Sequence, residues 1–285
     1  MRKAALVVCG PTAGGKSELS DNLAARLSEM EGRSVPTLAV DSMQVYRELP
    51  VITNQARRRP AELVGIVSVT EEWTVAKHRM QTEEILSTED SFLLDAGTGM
   101  YLNAILLDFP LAPRVSPSLR QQAQEVAAHE SNPRRAARAK ELELAGAEAR
   151  GSIWQGNLRY DTSIVYLRPE RSTIDAAIEG RSRRIAREGL GEAERLRDMA
   201  ATGASISPQV MESVGVRELF GYLSGTLTLQ QAQDHIATRT RRLARRQMRW
   251  FDKLARILEG RARITVLHGQ YQLSDLHSMH DIIGS

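Results

Sequence analysis

The chain has 285 residues, of which 42% are hydrophobic and 26% are charged. These fractions are typical of packed globular proteins and exclude a disordered chain. The net charge is only +3, which also excludes a general polycation. The apolar runs are too short to span a bilayer and the N-terminus leads directly into a motif, so we expect a cytoplasmic protein without a membrane segment.

The first elements in chain order are a strand, a loop and a helix. Residues 4 to 9 form an apolar run that predicts a buried strand, and its Cys9 is expected to be a buried thiol. A glycine-rich loop follows from residue 10 to residue 15. Residues 16 to 30 predict an amphipathic helix. Its apolar positions are Leu19, Leu23, Leu27 and Met30.

The loop and the start of the helix fit the pattern G-x-x-x-x-G-K-[ST] in full. The residues concerned are Gly10, Pro11, Thr12, Ala13, Gly14, Gly15, Lys16 and Ser17. Backbone N–H groups and the helix N-terminus form a cradle for phosphates, Lys16 adds a positive charge, and the Ser17 hydroxyl can hold Mg²⁺. The motif therefore predicts binding of a diphosphate or triphosphate, without specifying the reaction.

Two further short strands end at small or polar residues. Residues 37 to 40 lead to Asp41 and Ser42, and residues 91 to 95 lead to Thr98. Strands that alternate with helices predict an α/β fold, a P-loop NTPase-like parallel sheet flanked by helices, whose ligands lie beyond the carboxyl ends of the strands. At this stage Asp41 can bind Mg²⁺, accept a proton or cap a turn. Ser42 and Thr98 can orient a base or simply end a strand.

The segment from residue 110 to residue 156 is rich in proline and charge, and it predicts a small helical insertion. We therefore expect a core formed by residues 1–112 and 157–285, with an insertion at 113–156. Residues 160 to 167 predict another strand, and residues 173 to 201 predict one helix rich in arginine. The residues after Gly269 give no interpretable pattern.

A long helix is predicted from residue 229 to residue 259. Apolar residues recur along it at helical spacing, namely Ile236, Leu243, Trp250, Leu254 and Ile257. A basic stripe lies on the order of 140° around the axis from them. It contains Arg242, Arg245, Arg249, Lys253 and Arg256. This stripe can bind phosphates or can simply be a solvated face.

The residues alone leave a P-loop enzyme with an acceptor near Asp41, and phosphoryl transfer fits equally well. Several ordered motifs, however, resemble those of the tRNA dimethylallyltransferases. They are the P-loop, Asp41-Ser42-Met43-Gln44-Val45-Tyr46-Arg47, Gly97-Thr98-Gly99-Met100-Tyr101, Ser131-Asn132-Pro133-Arg134-Arg135, Ser213-Val214-Gly215-Val216-Arg217-Glu218, and residues 238 to 250. The similarity runs, with gaps, from residue 4 to about residue 255.

The resemblance implies transfer of a dimethylallyl group from dimethylallyl diphosphate to the 6-amino group of the adenosine 3′ of the anticodon in tRNA. It assigns the diphosphate to the P-loop, with Mg²⁺ on Ser17. The catalytic residues that it implies are Asp41 as the base, Thr98 as the group that orients adenine, and Arg181 on the leaving group. The implied acceptor-binding residues are Asp41, Ser42, Met43, Gln44, Thr98, Arg242, Arg245 and Arg249. We expect a monomer.

Three alternatives remain open. The segment between Tyr101 and Asn132 is shorter than in bacterial tRNA enzymes, and Val214-Gly215-Val216 is similar to adenylate isopentenyltransferases, which modify free AMP, ADP or ATP. A P-loop kinase for a small molecule would use ATP as the donor. A paralogue that binds RNA without catalysis would retain tRNA and transfer nothing.

Overall fold

The computed structural model describes residues 2–113, 115–131, 133–146 and 152–269. Five parallel strands form one sheet in the order β2-β3-β1-β4-β5. The strands are β1 (Ala4–Cys9), β2 (Thr37–Val40), β3 (Ser91–Ala96), β4 (Asp161–Arg168) and β5 (Arg263–His268). The four strands predicted from the sequence are all present, as β1 to β4. Residues from 270 onward lie outside the described part of the chain.

The central strands are continuous apolar runs because parallel strands covered by helices are buried on both faces. From Ala5 to Cys9, β1 is at most 3% exposed, and Cys9 is a buried free thiol as expected. Strand β5 was not predicted from the sequence. It lies at the edge of the sheet, and only half of its residues are partly covered, so its apolar pattern is weak.

Helices lie between the strands along the chain. They are α1 (Lys16–Glu31), α2 (Val75–Ile85), α3 (Gly99–Leu106), α4 (Pro117–Ala127), α5 (Pro133–Leu144), α6 (Arg171–Glu188), α7 (Leu190–Ala201), α8 (Pro208–Met211), α9 (Val216–Leu223) and α10 (Leu229–Leu258). Within the described ranges, no helix has both the length and the apolar character needed to cross a bilayer.

The prediction of one helix from 173 to 201 is wrong, because the chain forms α6 and α7 with a break at Gly189. A Cβ atom on Gly189 would lie 2.7 Å from the Ile185 carbonyl oxygen and 2.9 Å from Cγ1 of Ile52. The break lets α7 pack against the segment around Ile52. The buried carboxylate of Glu192 then accepts hydrogen bonds from the N–H groups of Val51 (2.6 Å) and Ile52 (2.9 Å).

Two predicted apolar faces also need correction. Met30, at the end of α1, is 47% exposed because the core side of the helix ends at Leu27. On α10 the predicted stripe included Leu243, Trp250 and Ile257, which are only partly buried. The buried face instead consists of Ala232, Ile236, Ala237, Thr240, Ala244, Phe251, Leu254 and Leu258. Its small residues allow α10 to pack closely on α6.

The chain divides into two compact units. One consists of residues 1–106 and 158–285, and the other of residues 107–157. In the smaller unit α4 and α5 pack together through buried alanines and Leu142. Glu141 on α5 accepts a hydrogen bond of 2.6 Å from Arg138. The side chains of Arg134 and Arg135 lie outside the described residues.

The start of α3, which follows Thr98, rests on a buried aromatic cluster. Nδ1 of His78 on α2 accepts a hydrogen bond of 3.2 Å from the Trp73 indole, and the His78 ring lies 5.0 Å from the ring of Tyr101. His78 is fully buried, and burial lowers its pKa to about 4. Nε2 of His78 has no hydrogen-bond partner within the described part of the chain.

We expect His78 to make the fold sensitive to acid. The unfolded chain takes up a proton at His78 below its ordinary pKa of 6.5, whereas the folded chain resists this until about pH 4. Stability should therefore fall as the pH is lowered across this window, by up to about 3 kcal/mol from this residue. Urea unfolding at several pH values should show a weaker dependence in His78→Gln. An identical pH dependence in the two proteins would contradict this assignment.

Candidate active site

The P-loop adopts a backbone conformation that requires glycine at two positions. Gly10 has φ 154°, and a Cβ there would lie 2.6 Å from the Leu167 carbonyl oxygen. Gly15 is left-handed, with φ 81°, and α1 begins at the next residue. The first turn of a helix leaves its N–H groups without intrahelical acceptors, and its dipole favours an anion. The loop therefore has the geometry of a phosphate cradle at the carboxyl end of β1.

The ammonium group of Lys16 lies over this loop. Nζ donates a hydrogen bond of 2.9 Å to the carbonyl oxygen of Pro11. Burial lowers the pKa of Lys16, whereas the carboxylates of Asp95 and Asp41 act in the opposite direction. The group therefore faces two carboxylates while it is held near the cradle.

Ser17 belongs to a buried polar network that the sequence analysis missed. Its hydroxyl donates a hydrogen bond of 2.9 Å to Oδ2 of Asp95 at the end of β3. The same oxygen accepts a hydrogen bond of 2.8 Å from Arg57, which also contacts Asp21 at 3.1 Å. The side chains of Arg57, Asp21 and Asp95 are only 4–5% exposed. An apolar strand that ends in aspartate beside the P-loop strand was the available signal for Asp95.

Asp41 follows β2 and lies on the same side of the sheet as Lys16. Its Oδ1 accepts hydrogen bonds from the N–H groups of Met43 (2.8 Å) and Gln44 (3.3 Å). A Cβ atom on Gly97 would lie 2.8 Å from Oδ2 of Asp41 and 3.8 Å from Cε of Lys16. The carboxylate and the lysine stem thus approach the same point. Burial raises the pKa of Asp41, while the two N–H donors, Lys16 and Arg181 lower it.

Thr98 and Ser42 connect the ends of β3 and β2. The hydroxyl oxygen of Thr98 accepts a hydrogen bond of 3.1 Å from the Ser42 N–H group. The side chain of Gln44 donates to the carbonyl oxygens of Thr53 (3.4 Å) and Asn54 (3.1 Å). Its amide nitrogen therefore holds a neighbouring loop. The Thr98 hydroxyl also donates a hydrogen bond of 3.5 Å to the Ser42 hydroxyl, so it lies at the residue that follows Asp41.

Arg181 extends from α6 toward the same site. Burial lowers its pKa to about 10, Asp41 opposes this shift, and the neighbouring Arg184 adds to it. Among the residues that the structure describes, Arg181 has no carboxylate within 4.0 Å. The site therefore brings together Lys16, Asp41, Thr98 and Arg181, with the P-loop at one side.

This chain is similar to enzymes that modify tRNA. Residues 44–131 and 126–254 match the family model described as IPP transferase. The chain belongs to the IPP transferase family. A tRNA dimethylallyltransferase of Rubrobacter xylanophilus is 58% identical over 100% of both chains. One from Rickettsia canadensis is 28% identical and covers 88% of this chain and 86% of its own.

Solved structures of the IPP transferase family share the fold. A full-length tRNA isopentenylpyrophosphate transferase from Bacillus halodurans has a TM-score of 0.69 and 25% identity. The alignment covers 96% of this chain and 93% of that one. The prediction of a P-loop-type parallel sheet flanked by helices is thereby confirmed.

Helix α10 of this IPP transferase forms one wall of the site, which the sequence analysis did not predict. The side chain of Gln247 accepts a hydrogen bond of 2.8 Å from the Thr12 N–H group and donates one of 2.8 Å to the Gly97 carbonyl oxygen. A Cβ on Gly99 would lie 2.2 Å from Trp250, so only glycine fits there. The sequence signal available for Gln247 was a neutral glutamine between Arg246 and Met248 in an arginine-rich segment.

The predicted acceptor-binding arginines of α10 lie apart from these inward-facing residues. Arg242, Arg245 and Arg249 are exposed, on a face of α10 different from its buried one. No ion pair joins any of the three to a described carboxylate. The structure therefore places them on a basic surface. It does not place them beside Asp41 and Lys16.

The close approach at Gly97 predicts a measurable cost of adding one methyl group. Gly97→Ala would push against the Asp41 carboxylate and should lower the free energy of unfolding by about 1–3 kcal/mol. Gly180→Ala is the control, because no atom lies within 4 Å of its added Cβ and alanine favours helices. It should raise stability by up to about 1 kcal/mol. If urea titrations give Gly97→Ala the same free energy of unfolding as the wild type, the close packing of Asp41 against Gly97 is contradicted.

Proposed function

We propose that the protein transfers a dimethylallyl group from dimethylallyl diphosphate to the exocyclic 6-amino group of adenine in tRNA, at the adenosine 3′ of the anticodon. The observation that carries this proposal is the approach of Asp41 and Lys16 to one point at Gly97. A carboxylate that can accept a proton thereby faces a cradle that can hold a diphosphate. We also propose that the enzyme acts in the cytoplasm, as a monomer.

On the donor side, the P-loop N–H groups, Lys16 and Arg181 would bind the diphosphate. Two cations that face it stabilise the negative charge that grows as the allylic C–O bond breaks. Mg²⁺ fits the pair Ser17 and Asp95, because it usually keeps several waters and takes one or two protein groups together with substrate phosphates. When bound, the ion adds further charge stabilisation to the leaving group.

On the acceptor side, Asp41 would accept a proton from the adenine amino group. The new N–C bond forms at the allylic carbon, the C–O bond to diphosphate breaks, and the amino proton moves to the carboxylate. Burial raises the pKa of Asp41, which strengthens it as a base while it remains ionised. The Thr98 hydroxyl, which lies beside it, would orient the base. We assign Ser42, Met43 and Gln44 to the wall of this acceptor pocket.

The exposed arginines of α10 favour tRNA over a free nucleotide as the acceptor. Arg242, Arg245 and Arg249 offer positive charge outside the pocket, where a mononucleotide would not reach but a polynucleotide backbone would. An adenine within tRNA would have to leave its stack to reach Asp41. We also assign the helical insertion at 113–156 to tRNA contact.

A transfer assay tests the proposed function. Unmodified tRNA, AMP, ADP and ATP are each incubated with Mg²⁺ and labelled dimethylallyl diphosphate. We expect label in tRNA alone, at the adenosine 3′ of the anticodon. Label in AMP, ADP or ATP would show that the acceptor is a free nucleotide and not tRNA. Transfer of phosphate from labelled ATP to a small molecule would show that the protein is a kinase. Retention of tRNA without transfer would show that it binds RNA without catalysis.

Asp41→Asn tests the base within the same assay. Asparagine can still accept hydrogen bonds from Met43 and Gln44, so donor binding should persist while transfer falls by about 100-fold or more. The raised pKa of Asp41 also predicts the pH profile. In the wild type, kcat/KM should fall on the acid side at a pH above the ordinary carboxyl range, because the protonated acid cannot accept a proton. Normal turnover in Asp41→Asn would reject this role.

The basic surface of α10 predicts a change in salt dependence. Replacing Arg242, Arg245 and Arg249 with glutamine should weaken tRNA binding and reduce the slope of log K against log salt by about 2 to 3. Filter binding at several salt concentrations measures this slope. The control replaces the exposed Arg58, Arg187 and Arg197, which removes the same charge elsewhere. Equal slopes in the two triple variants would show that net charge, not the α10 surface, determines binding.

A further inference from the structure

A second arginine of α6 approaches the site beside Arg181. Arg184 lies three residues further along the helix, so the two side chains share one helical face. Arg184 is half-buried, and its Nη2 donates a hydrogen bond to Oδ1 of Asn54. Its Nε is fully buried and has no hydrogen-bond partner in the part of the chain that the structure describes. The guanidinium is therefore only partly used by the protein.

Arg184 also makes no direct ion pair within the described part of the chain. Its hydrogen-bond partner Asn54 is neutral, and no described carboxylate lies within 4.0 Å of Arg184. Arg181 likewise has no described carboxylate within 4.0 Å, and the neighbouring Arg184 lowers the pKa of Arg181. Charges removed from water are normally paired, because an isolated buried charge is costly. Asp41 and Glu192 act on Arg181 and Arg184 only at longer range. Two adjacent guanidiniums without a directly paired carboxylate among the described residues therefore indicate a ligand that carries negative charge.

Arg184 is held in a fixed direction by the loop that carries Asn54. Asn54 has φ 58°, a left-handed conformation that asparagine tolerates, and its carbonyl oxygen accepts a hydrogen bond from the Gln44 side chain. Glu192 anchors the same loop at Val51 and Ile52. The N–H group of Gln44 in turn contacts Asp41. The loop thus connects the Arg184 guanidinium with the segment that positions the proposed base.

We propose that Arg184 is a further phosphate-binding residue of this site, which acts beside Arg181 and is oriented by Asn54. The inference rests on the proposed function. Its ligand is a phosphate group, either in the diphosphate of the donor or in the backbone of the acceptor next to the target adenosine. A guanidinium with free N–H groups matches either source, because both present paired phosphate oxygens.

The first test measures two affinities separately. Isothermal titration with inorganic pyrophosphate and Mg²⁺ reports the donor source, and filter binding of unmodified tRNA reports the acceptor source. Arg184→Gln should lose about 10-fold or more in one of them, which identifies the phosphate bound. Arg183→Gln is the matched control, because Arg183 is exposed and adjacent on the same helix. It should leave the pyrophosphate affinity unchanged.

Asn54→Asp provides an independent test that does not depend on the folding of Arg184→Gln. The substitution keeps the shape of the side chain and places a carboxylate in direct contact with Arg184, as an ion-pair partner. We expect a higher melting temperature together with a loss of affinity in the same titration that Arg184→Gln affects. A higher melting temperature with unchanged pyrophosphate and tRNA affinities would overturn the inference.

The outcomes separate this inference from the proposed function. If the wild type binds pyrophosphate and tRNA while Arg184→Gln and Asn54→Asp bind both as tightly, Arg184 has no such role and the proposed function stands. If the wild type does not bind pyrophosphate, the donor site itself is wrong and both proposals fail.

Discussion

The structure depends on a close contact across Gly97, where the Asp41 carboxylate and the Lys16 stem approach the position that a side chain would occupy. Opposite charges held in a poorly hydrated site attract each other strongly, yet each is also penalised by the loss of water. Burial raises the pKa of Asp41 and lowers that of Lys16, and the attraction between the two charges acts in the opposite direction on each. Glycine at 97 leaves room for the Asp41 carboxylate, because a Cβ there would lie 2.8 Å from its Oδ2.

A second network fixes the other side of the P-loop. Arg57 forms ion pairs with Asp21 on α1 and Asp95 on β3, and Asp95 also accepts a hydrogen bond from the Ser17 hydroxyl. This arrangement ties the segment after Asn54 to the helix that begins at the phosphate cradle. Because the three charged side chains are almost completely buried, the loss of one partner would leave a buried charge unpaired, which is far more costly than the loss of a surface ion pair. The positions of Ser17 and Asp95 are therefore determined by the same interactions.

The sequence was informative where chemistry follows local pattern. The P-loop, the end of β2 at Asp41 and the glycines around Thr98 could be located because strand, loop and helix signals are contiguous. It was uninformative where a residue acts through a distant contact. Gln247 and Arg57 reach the site from remote segments, and α10 buries alanines and Thr240 where the apolar pattern favoured Leu243 and Ile257. The break at Gly189 likewise reflects packing against Ile52, which no local signal records.

The charge balance of the site also explains why the donor would prepare the base for the acceptor. Lys16 and Arg181 lower the pKa of Asp41 and so weaken it as a base. A diphosphate placed between these cations would offset their positive charge. The cations would then lower the pKa of Asp41 less, while burial would still raise it. The pKa of Asp41 would rise toward the range in which a carboxylate accepts a proton more readily. In the proposed mechanism, donor binding and activation of the acceptor amine would thus be coupled through the same two cations.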